Sequence, residues 1–214
     1  MGTKKQILLW CGGALLSSLF LNGLDIYANY QAVSKNGSQD MLWFEMFLIL
    51  PLFAIIVSTP ISVIGLIFKK TRKVCFIIIL CGIIYFGTAF VCFRLGEKVR
   101  MAAFHELAKR SGTLVQAIKT YESKYGSPPA SLENLVPEFL PSIPQTGMGA
   151  YPEYEYKVGE EAQDFAKDAW CLVVYTPLAG FNWDIFIYFP SQNYPEQGYG
   201  GVSEKVEDWA YVHE

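Results

Sequence analysis

VCFIIILCGIIYFGTAFVCFRLGEKVRMAAFHELAKRSGTLVQAIKTYESKY, residues 74–125, decides how this chain is built. Residues 74–93 are apolar around the whole circumference of a helix and carry no Asp, Glu, Lys or Arg. A helix needs about 20 such residues to cross a bilayer. Beyond Gly96 the run acquires a period. Phe104, Leu107, Ala108, Ser111, Leu114, Val115, Ile118, Tyr121 and Tyr125 step by three and four along one face. Glu106, Lys109, Arg110, Lys119, Glu122 and Lys124 take the other positions. No proline interrupts, so one rod of about 50 residues, roughly 75 Å at 1.5 Å per residue, is expected. Gly96 and Gly112 are its weak points, Gly126 its C-cap, and Pro128–Pro129 its stop.

The composition divides at the same place. The 214 residues are 52% hydrophobic and 17% charged, with a net charge of −3. Residues 1–94 hold eight Lys/Arg against three Asp/Glu, a net of +5; residues 95–214 hold nine against seventeen, a net of −8, which together give −3. A disordered chain, a wholly soluble protein and a basic nucleic-acid binder are excluded. Residues 1–94 read as a transmembrane region of three helices, about 7–24, 42–68 and 74–93, and residues 95–214 as an extracytoplasmic α+β domain. The first stretch follows Lys4 and Lys5, as a secretory signal peptide also does, but no small-x-small site follows Leu21. Trp10 before Cys11 does not suit lipoprotein acylation. An uncleaved anchor is favoured, with the cleaved segment as the alternative; either way the chain emerges on the outer side.

Orientation follows from the cations. Lys69, Lys70, Arg72 and Lys73 cluster between the second and third stretches, and Lys4 and Lys5 precede the first; residues 25–41 carry only Lys35 against Asp25 and Asp40. The positive-inside tendency places the N-terminus and residues 69–73 in the cytoplasm, and the C-terminal domain in the periplasm of a bacterial cell with a multi-pass inner-membrane anchor. Arg94, Lys98 and Arg100 argue mildly the other way. Glu45 reads as an interfacial carboxylate, and Pro51 and Pro60 as kinks.

The outer domain changes period after its helix. Ser131 and Asn134 start a short helix bracketed by Pro137 and Pro141. Tyr154, Tyr156 and Val158 alternate with Glu155 and Lys157. Residues 169–175 (AWCLVVY) and 184–189 (DIFIYF) are strand-prone and joined through Pro177 and Gly180 as a hairpin; residues 206–212 (VEDWAYV) read as a last strand after a Gly/Pro-rich loop at 190–201. The expected fold is a long helix packed on a roughly four-stranded antiparallel sheet. Cys11, Cys75, Cys81 and Cys92 lie in the apolar stretches, so Cys171 has no intradomain disulfide partner and reads as a small core side chain. His105 and His213 stand alone and are expected to face solvent; no metal spacing is present.

The segment YESKYGSPPASLENLVPEFLPSIP, residues 121–144, resembles the region after the long helix in major pseudopilins of type II secretion systems and related type IV pilin-like proteins. There a Tyr/Gly/Pro turn leads into a short Leu- and Pro-punctuated segment and then a small antiparallel sheet, so the resemblance, over about 97–212, implies a pilin-like fold. Prepilins carry a basic leader, a Gly before the cleavage point and a Glu five residues into the mature helix. Lys73-Val74-Cys75-Phe76 offers neither Gly nor Glu, so the domain is expected to be fixed to the membrane and not to polymerise. The family's calcium site lies before its last strand. Asp184, Glu196, Glu204 and Asp208 are nearby acids without matching spacing, and a solvated acidic surface is the favoured reading.

No GxSxG, phosphate loop or metal motif supports catalysis, and Glu160–Glu161 read as hydrated loop carboxylates. No enzymatic activity and no cofactor are expected. Ten of thirteen tyrosines lie beyond residue 95. Tyr151, Tyr154, Tyr194 and Tyr199 sit in Pro/Gly-rich loops and are the candidate interaction surface; the alternative is that they pack the sheet against its helix. The implied function is presentation of the domain for protein–protein interaction in secretion or envelope assembly. The implied partners are the lipid bilayer, envelope or secretion proteins and, alternatively, other copies of the chain. A small-ligand or ion (calcium, glycan) sensor signalling through the membrane helices is the second reading. A membrane enzyme, third, requires a cleft joining Asp25, Glu45 and Arg94.

Overall fold

The computed structural model describes residues 3–40, 45–178 and 183–213. It divides into two compact units, Met1–Gln31 with Gln39–Arg100, and Ala32–Ser38 with Met101–Glu214. The boundary thus falls a few residues beyond the expected 94–95, and the second unit also takes in a short segment from far upstream.

The first unit is helical. It holds most of α1 (Thr3–Val33), all of α2 (Glu45–Gly65) and the N-terminal part of α3 (Arg72–Tyr125). α1 extends well past the expected end at residue 24. Its polar residues return their side chains to the helix: Asn22 Nδ2 donates to the Ser18 carbonyl at 2.8 Å and Asn29 Nδ2 to the Asp25 carbonyl at 2.9 Å. α1 and α3 are long and apolar enough to cross a membrane. The expectation of three such helices needs correction, because the apolar part of α2, Ile49–Gly65, is shorter. Residues 42–44 of the expected second span lie outside the described residues, as does the side chain of Glu45. At the other end the helix stops at Gly65. Thr71 Oγ1 donates to the Gly65 carbonyl at 2.7 Å and Arg72 Nε to the Leu66 carbonyl at 3.0 Å, which closes the 66–71 turn. α2 runs through both Pro51 and Pro60.

Exposure in this unit is inverted relative to a water-soluble bundle. Ser18 and Ser62 are 1% and 2% exposed, whereas Leu16, Phe20 and Ile67 are 72%, 71% and 71% exposed. Small residues let the helices meet: a Cβ on Gly82 would come within 3.2 Å of Ile55, and one on Gly96 within 2.8 Å of the Asp25 carboxylate.

The second unit is α+β. α3 continues unbroken to Tyr125, where Gly126 adopts a positive φ of 79°. Phe104, Leu107, Ala108, Ser111, Leu114, Val115 and Ile118 of its expected face are buried; Tyr125 is exposed. A 3-10 turn at Leu132–Leu135 follows, with Ser131 N–H donating to Asn134 Oδ1 at 3.0 Å. Then come β1 (Glu155–Val158), α4 (Glu160–Ala166), β2 (Trp170–Tyr175), β3 (Ile185–Tyr188), β4 (Gln197–Gly198), β5 (Gly201–Val206) and β6 (Trp209–His213). All pairings are antiparallel, in the order β1-β2-β3-β6-β5-β4. The β2–β3 pair matches the expected hairpin, although Gly180 of its connection lies outside the described residues.

Six strands replace the expected four. The Gly/Pro-rich stretch supplies β4 and the first residue of β5, joined by a two-residue turn, Tyr199-Gly200, with φ of 56° and 90°, the left-handed geometry that tight hairpins require. The expected last strand, 206–212, is broken by a second hairpin: Val206 pairs with Trp209 across Glu207, which has a φ of 55°. Glu160 and Glu161 open α4 and do not lie in a loop.

α4 explains why β2 is buried at five successive positions. Trp170, Phe186, Trp209 and Tyr211 join the aromatic layer around Phe104 of α3, with Phe104–Phe186 rings 5.0 Å apart and Phe186–Trp209 rings 4.9 Å apart. The alternate residues Cys171, Val173, Ile185, Ile187, Phe189, Ala210 and Val212 pack on Ala162 and Ala166 of α4. A sheet covered on both faces reads as a continuous apolar run, not an alternation.

The segment 32–38 is held by backbone. Gly149 N–H donates to the Ser34 carbonyl at 2.7 Å and Ala150 N–H to the Ala32 carbonyl at 3.2 Å. A Cβ on Gly149 would overlap the backbone of Gly37. Gly149→Ala is therefore expected to lower the thermal stability of the full chain by about 1–3 kcal/mol. Gly112→Ala, at an exposed helical position with open space around it, is expected to raise it by about 0.5–1 kcal/mol. Thermal unfolding followed by circular dichroism of the two variants in the same detergent checks both signs.

Candidate functional site

The turn Thr146–Pro152 builds one side of a polar groove. Thr146 Oγ1 donates to the Tyr151 carbonyl and accepts from Met148 N–H at 3.1 Å; Thr146 N–H donates to the Pro152 carbonyl at 3.0 Å. Thr146 and Met148 are buried, so the turn is anchored from within. It delivers Tyr151, Glu153 and Tyr154 to the start of the edge strand β1, beside Glu155 and the β2 residue Tyr175. These residues line a groove of 450 Å³.

Tyr151 is buried and donates its hydroxyl to the Pro177 carbonyl at 2.9 Å. Tyr154 is half-buried, its ring 6.2 Å from that of Trp209. Its buried hydroxyl has no hydrogen-bond partner among the described residues. Burial pushes that hydroxyl up to about 12, against the opposing charge of Arg110. The Tyr175 hydroxyl is raised by burial and then by the charge of Glu155. Both phenols are thus neutral at physiological pH. Lys157 is buried, with its ammonium on Glu155 and, at 2.6 Å, on Glu161. Burial opposes that charge, but the two carboxylates carry its pKa above the ordinary lysine value. Glu153 is exposed. The rim therefore offers the exposed Tyr175 phenol with its aromatic face and the carboxylates of Glu153 and Glu155, a set suited to a cationic or hydroxyl-rich group.

Of the four tyrosines expected on an interaction surface, the structure brings two, Tyr151 and Tyr154, to this groove. Tyr194 and Tyr199 lie on the α4 side of the sheet and pack against its core. Tyr194 Oη accepts from Phe189 N–H at 3.1 Å and donates to the Asp208 carbonyl at 2.6 Å, and burial raises its pKa. Tyr199 donates to the Phe165 carbonyl at 2.6 Å. These two therefore pack on the face that α4 covers, not between the sheet and the long helix α3. Tyr175, Glu153 and Glu155 complete the lining, and no motif in the sequence marks them.

The remaining expected positions fall elsewhere. The Tyr211 hydroxyl donates to the Asp184 carboxylate, which is buried; Glu196, Glu204 and Asp208 are exposed. Among the described residues no three His, Cys, Asp or Glu side chains gather as a metal site. Cys171 is fully buried, and burial pushes its thiol up to about 12 against the charge of Lys157. His105 is exposed, with Nδ1 3.1 Å from Glu207 Oε1; His213 stacks on Tyr211 at 5.3 Å. In the helical unit Asp25 and Asn22 line a separate cavity of 180 Å³ with Tyr85 and Cys92. Arg94 is not among its lining residues and pairs with Glu97 at 2.9 Å.

The two hydroxyl environments predict opposite responses. Tyr154→Phe removes an unpaired buried hydroxyl and is expected to leave the melting temperature unchanged or raise it. Tyr194→Phe leaves Phe189 N–H without its acceptor and is expected to cost about 1–3 kcal/mol by thermal unfolding. Compared with known protein families, curated proteins and solved structures, the chain matches none.

Proposed function

We propose that this chain is a non-enzymatic, multi-pass protein of the bacterial inner membrane. In this reading it presents a pseudopilin-like α+β domain in the periplasm for protein–protein interaction, in secretion or envelope assembly. The observation that carries the membrane part is the inverted exposure of the helical unit, with Leu16, Phe20 and Ile67 outside and Ser18, Asn22 and Ser62 inside. In water, a continuous exposed apolar surface of that kind drives aggregation; in hydrocarbon it is the favourable arrangement.

The backbone bonds from Gly149 and Ala150 to Ser34 and Ala32 support three crossings. They put residues 32–38 and 101–213 in one compact unit, hence on one side of the bilayer. Between those segments the chain must then cross an even number of times. If α3 crosses, α2 crosses as well. Its apolar part of 17 residues covers about 26 Å. Modest bilayer thinning makes up the difference. The cations at 4–5 and 69–73 set the direction.

The pseudopilin part rests on the resemblance of 121–144 and on the order long helix, short turn, antiparallel sheet. The interaction part rests on the groove at Tyr151, Glu153, Tyr154, Glu155 and Tyr175. The same groove supports the second reading, a sensor of a small cationic or hydroxyl-rich ligand.

Sidedness is tested with Thr71→Cys and Glu160→Cys in a background lacking the five native cysteines. A membrane-impermeant maleimide is expected to label position 160 in intact spheroplasts and position 71 only after lysis; the reverse pattern overturns the orientation. A photoreactive residue replacing Tyr175 in the full chain is expected to give a discrete adduct in cells. A ladder of non-specific products, or none, overturns the interaction reading. The full chain is needed because a fragment starting at residue 97 lacks the Ala32–Ser38 segment.

A further inference from the structure

We propose a binding site for the phosphodiester headgroup of an anionic membrane lipid at the end of the helical unit where α2 gives way to α3. The proposal rests on the membrane placement argued above and adds a specific ligand. A groove of 690 Å³ opens there, with Ile7 of α1, Leu66 of the turn after α2 and Phe76 of α3 as apolar walls and Lys69, Arg72 and Lys73 as a cationic rim. The rim is partly organised. Arg72 spends Nε on the Leu66 carbonyl, which fixes its guanidinium plane while Nη1 and Nη2 carry the other four donor hydrogens. The Lys73 ammonium binds Gln6 Oε1 and so links α1 to α3 beside the groove.

Charge complementarity selects the occupant. Lys4, Lys5, Lys69, Lys70, Arg72 and Lys73 gather in the segments that border this end, and residues 1–24 and 46–96 contain no Asp or Glu. A free phosphate would satisfy the rim and leave the walls unfilled. An acidic peptide would do the same unless it also carried apolar side chains into the bilayer edge. A lipid diester fits both parts: one negative charge at the rim and acyl chains along walls continuous with the exposed Ile67, Phe68 and Val74. Basic pockets at the cytoplasmic ends of membrane helices hold such headgroups by this combination.

The test uses the full chain reconstituted in nanodiscs of equimolar phosphatidylcholine and phosphatidylglycerol, extracted gently and examined by native mass spectrometry. The wild-type chain is expected to retain phosphatidylglycerol in preference to phosphatidylcholine, saturating at one lipid per chain. In Lys69→Gln/Arg72→Gln/Lys73→Gln that preference is expected to fall by on the order of a hundredfold, at about a factor of five per cation. Lys98→Gln is expected to keep it, and so is the charge-retaining Lys69→Arg/Arg72→Lys/Lys73→Arg, which guards against a misfolded neutral variant. Equal retention of the two lipids by the wild type, an unchanged preference in the neutral variant, or displacement by inorganic phosphate or by an acidic peptide overturns the site. Loss of the wild-type chain from membranes on alkaline washing would instead overturn the membrane reading itself.

Discussion

The close approach of Gly37 to Gly149 is the constraint on which most of the architecture turns. It brings the end of the first apolar helix and the residues just after it onto a turn more than half the chain away, with two backbone hydrogen bonds and no room for a side chain. Each bond is worth only about 1 kcal/mol net. The consequence is topological more than energetic. The sheet-bearing unit cannot be completed from a continuous stretch of sequence, because Ala32–Ser38 belongs to it and residues 39–100 do not. In the proposed membrane setting that single closure also fixes the parity of crossings, and with it the role of the short, proline-bearing α2.

The same turn positions the groove. Thr146, buried, bonds to backbone at Met148, Tyr151 and Pro152, so the residues that carry Tyr151 and Glu153 are held from beneath by a side chain that never reaches the surface. The groove is therefore preorganised by core packing. Lys157 contributes in a different way. By binding Glu155 and Glu161 it offsets the charge of one of the rim carboxylates, Glu155, while Glu153 remains exposed.

How much of this was legible depends on which interactions are local. The α3 face from Phe104 to Ile118, its stop at Gly126 and the apolar runs of β2 and β3 declare themselves through period and composition, because each depends on residues within a turn or two. α4 is too short to show a period, and it follows Gly159 at a φ of 65°. β4 and β5 were hidden because their residues look like loop material, and the turn between them uses Tyr199 in a left-handed conformation that tyrosine seldom adopts. The hairpin at Glu207 is concealed for the same reason. The upstream segment at 32–38 carries little signal, since the bonds from Gly149 and Ala150 reach its backbone carbonyls and any residue supplies the same group. Tyr194 and Tyr199 illustrate the limit for the site. A loop tyrosine reads as exposed until a carbonyl, of Asp208 or Phe165, is found within reach of its hydroxyl.

Electrostatics then gives the two units complementary characters. Residues 1–94 carry a net +5 and residues 95–214 a net −8. The positive charge of the first is concentrated next to apolar walls at Lys69, Arg72 and Lys73, where a desolvating surface would strengthen its attraction for phosphate. The negative charge of the second is spread over an exposed, water-facing domain, where salt screens it within about 8–10 Å. In the proposed interaction role, a partner would be steered by the broad acidic field and selected at short range by the groove that Glu153, Glu155 and Tyr175 line. Field and groove favour the same chemistry, a basic or hydroxyl-rich group, so selectivity at the groove does not have to work against the charge of the domain that carries it.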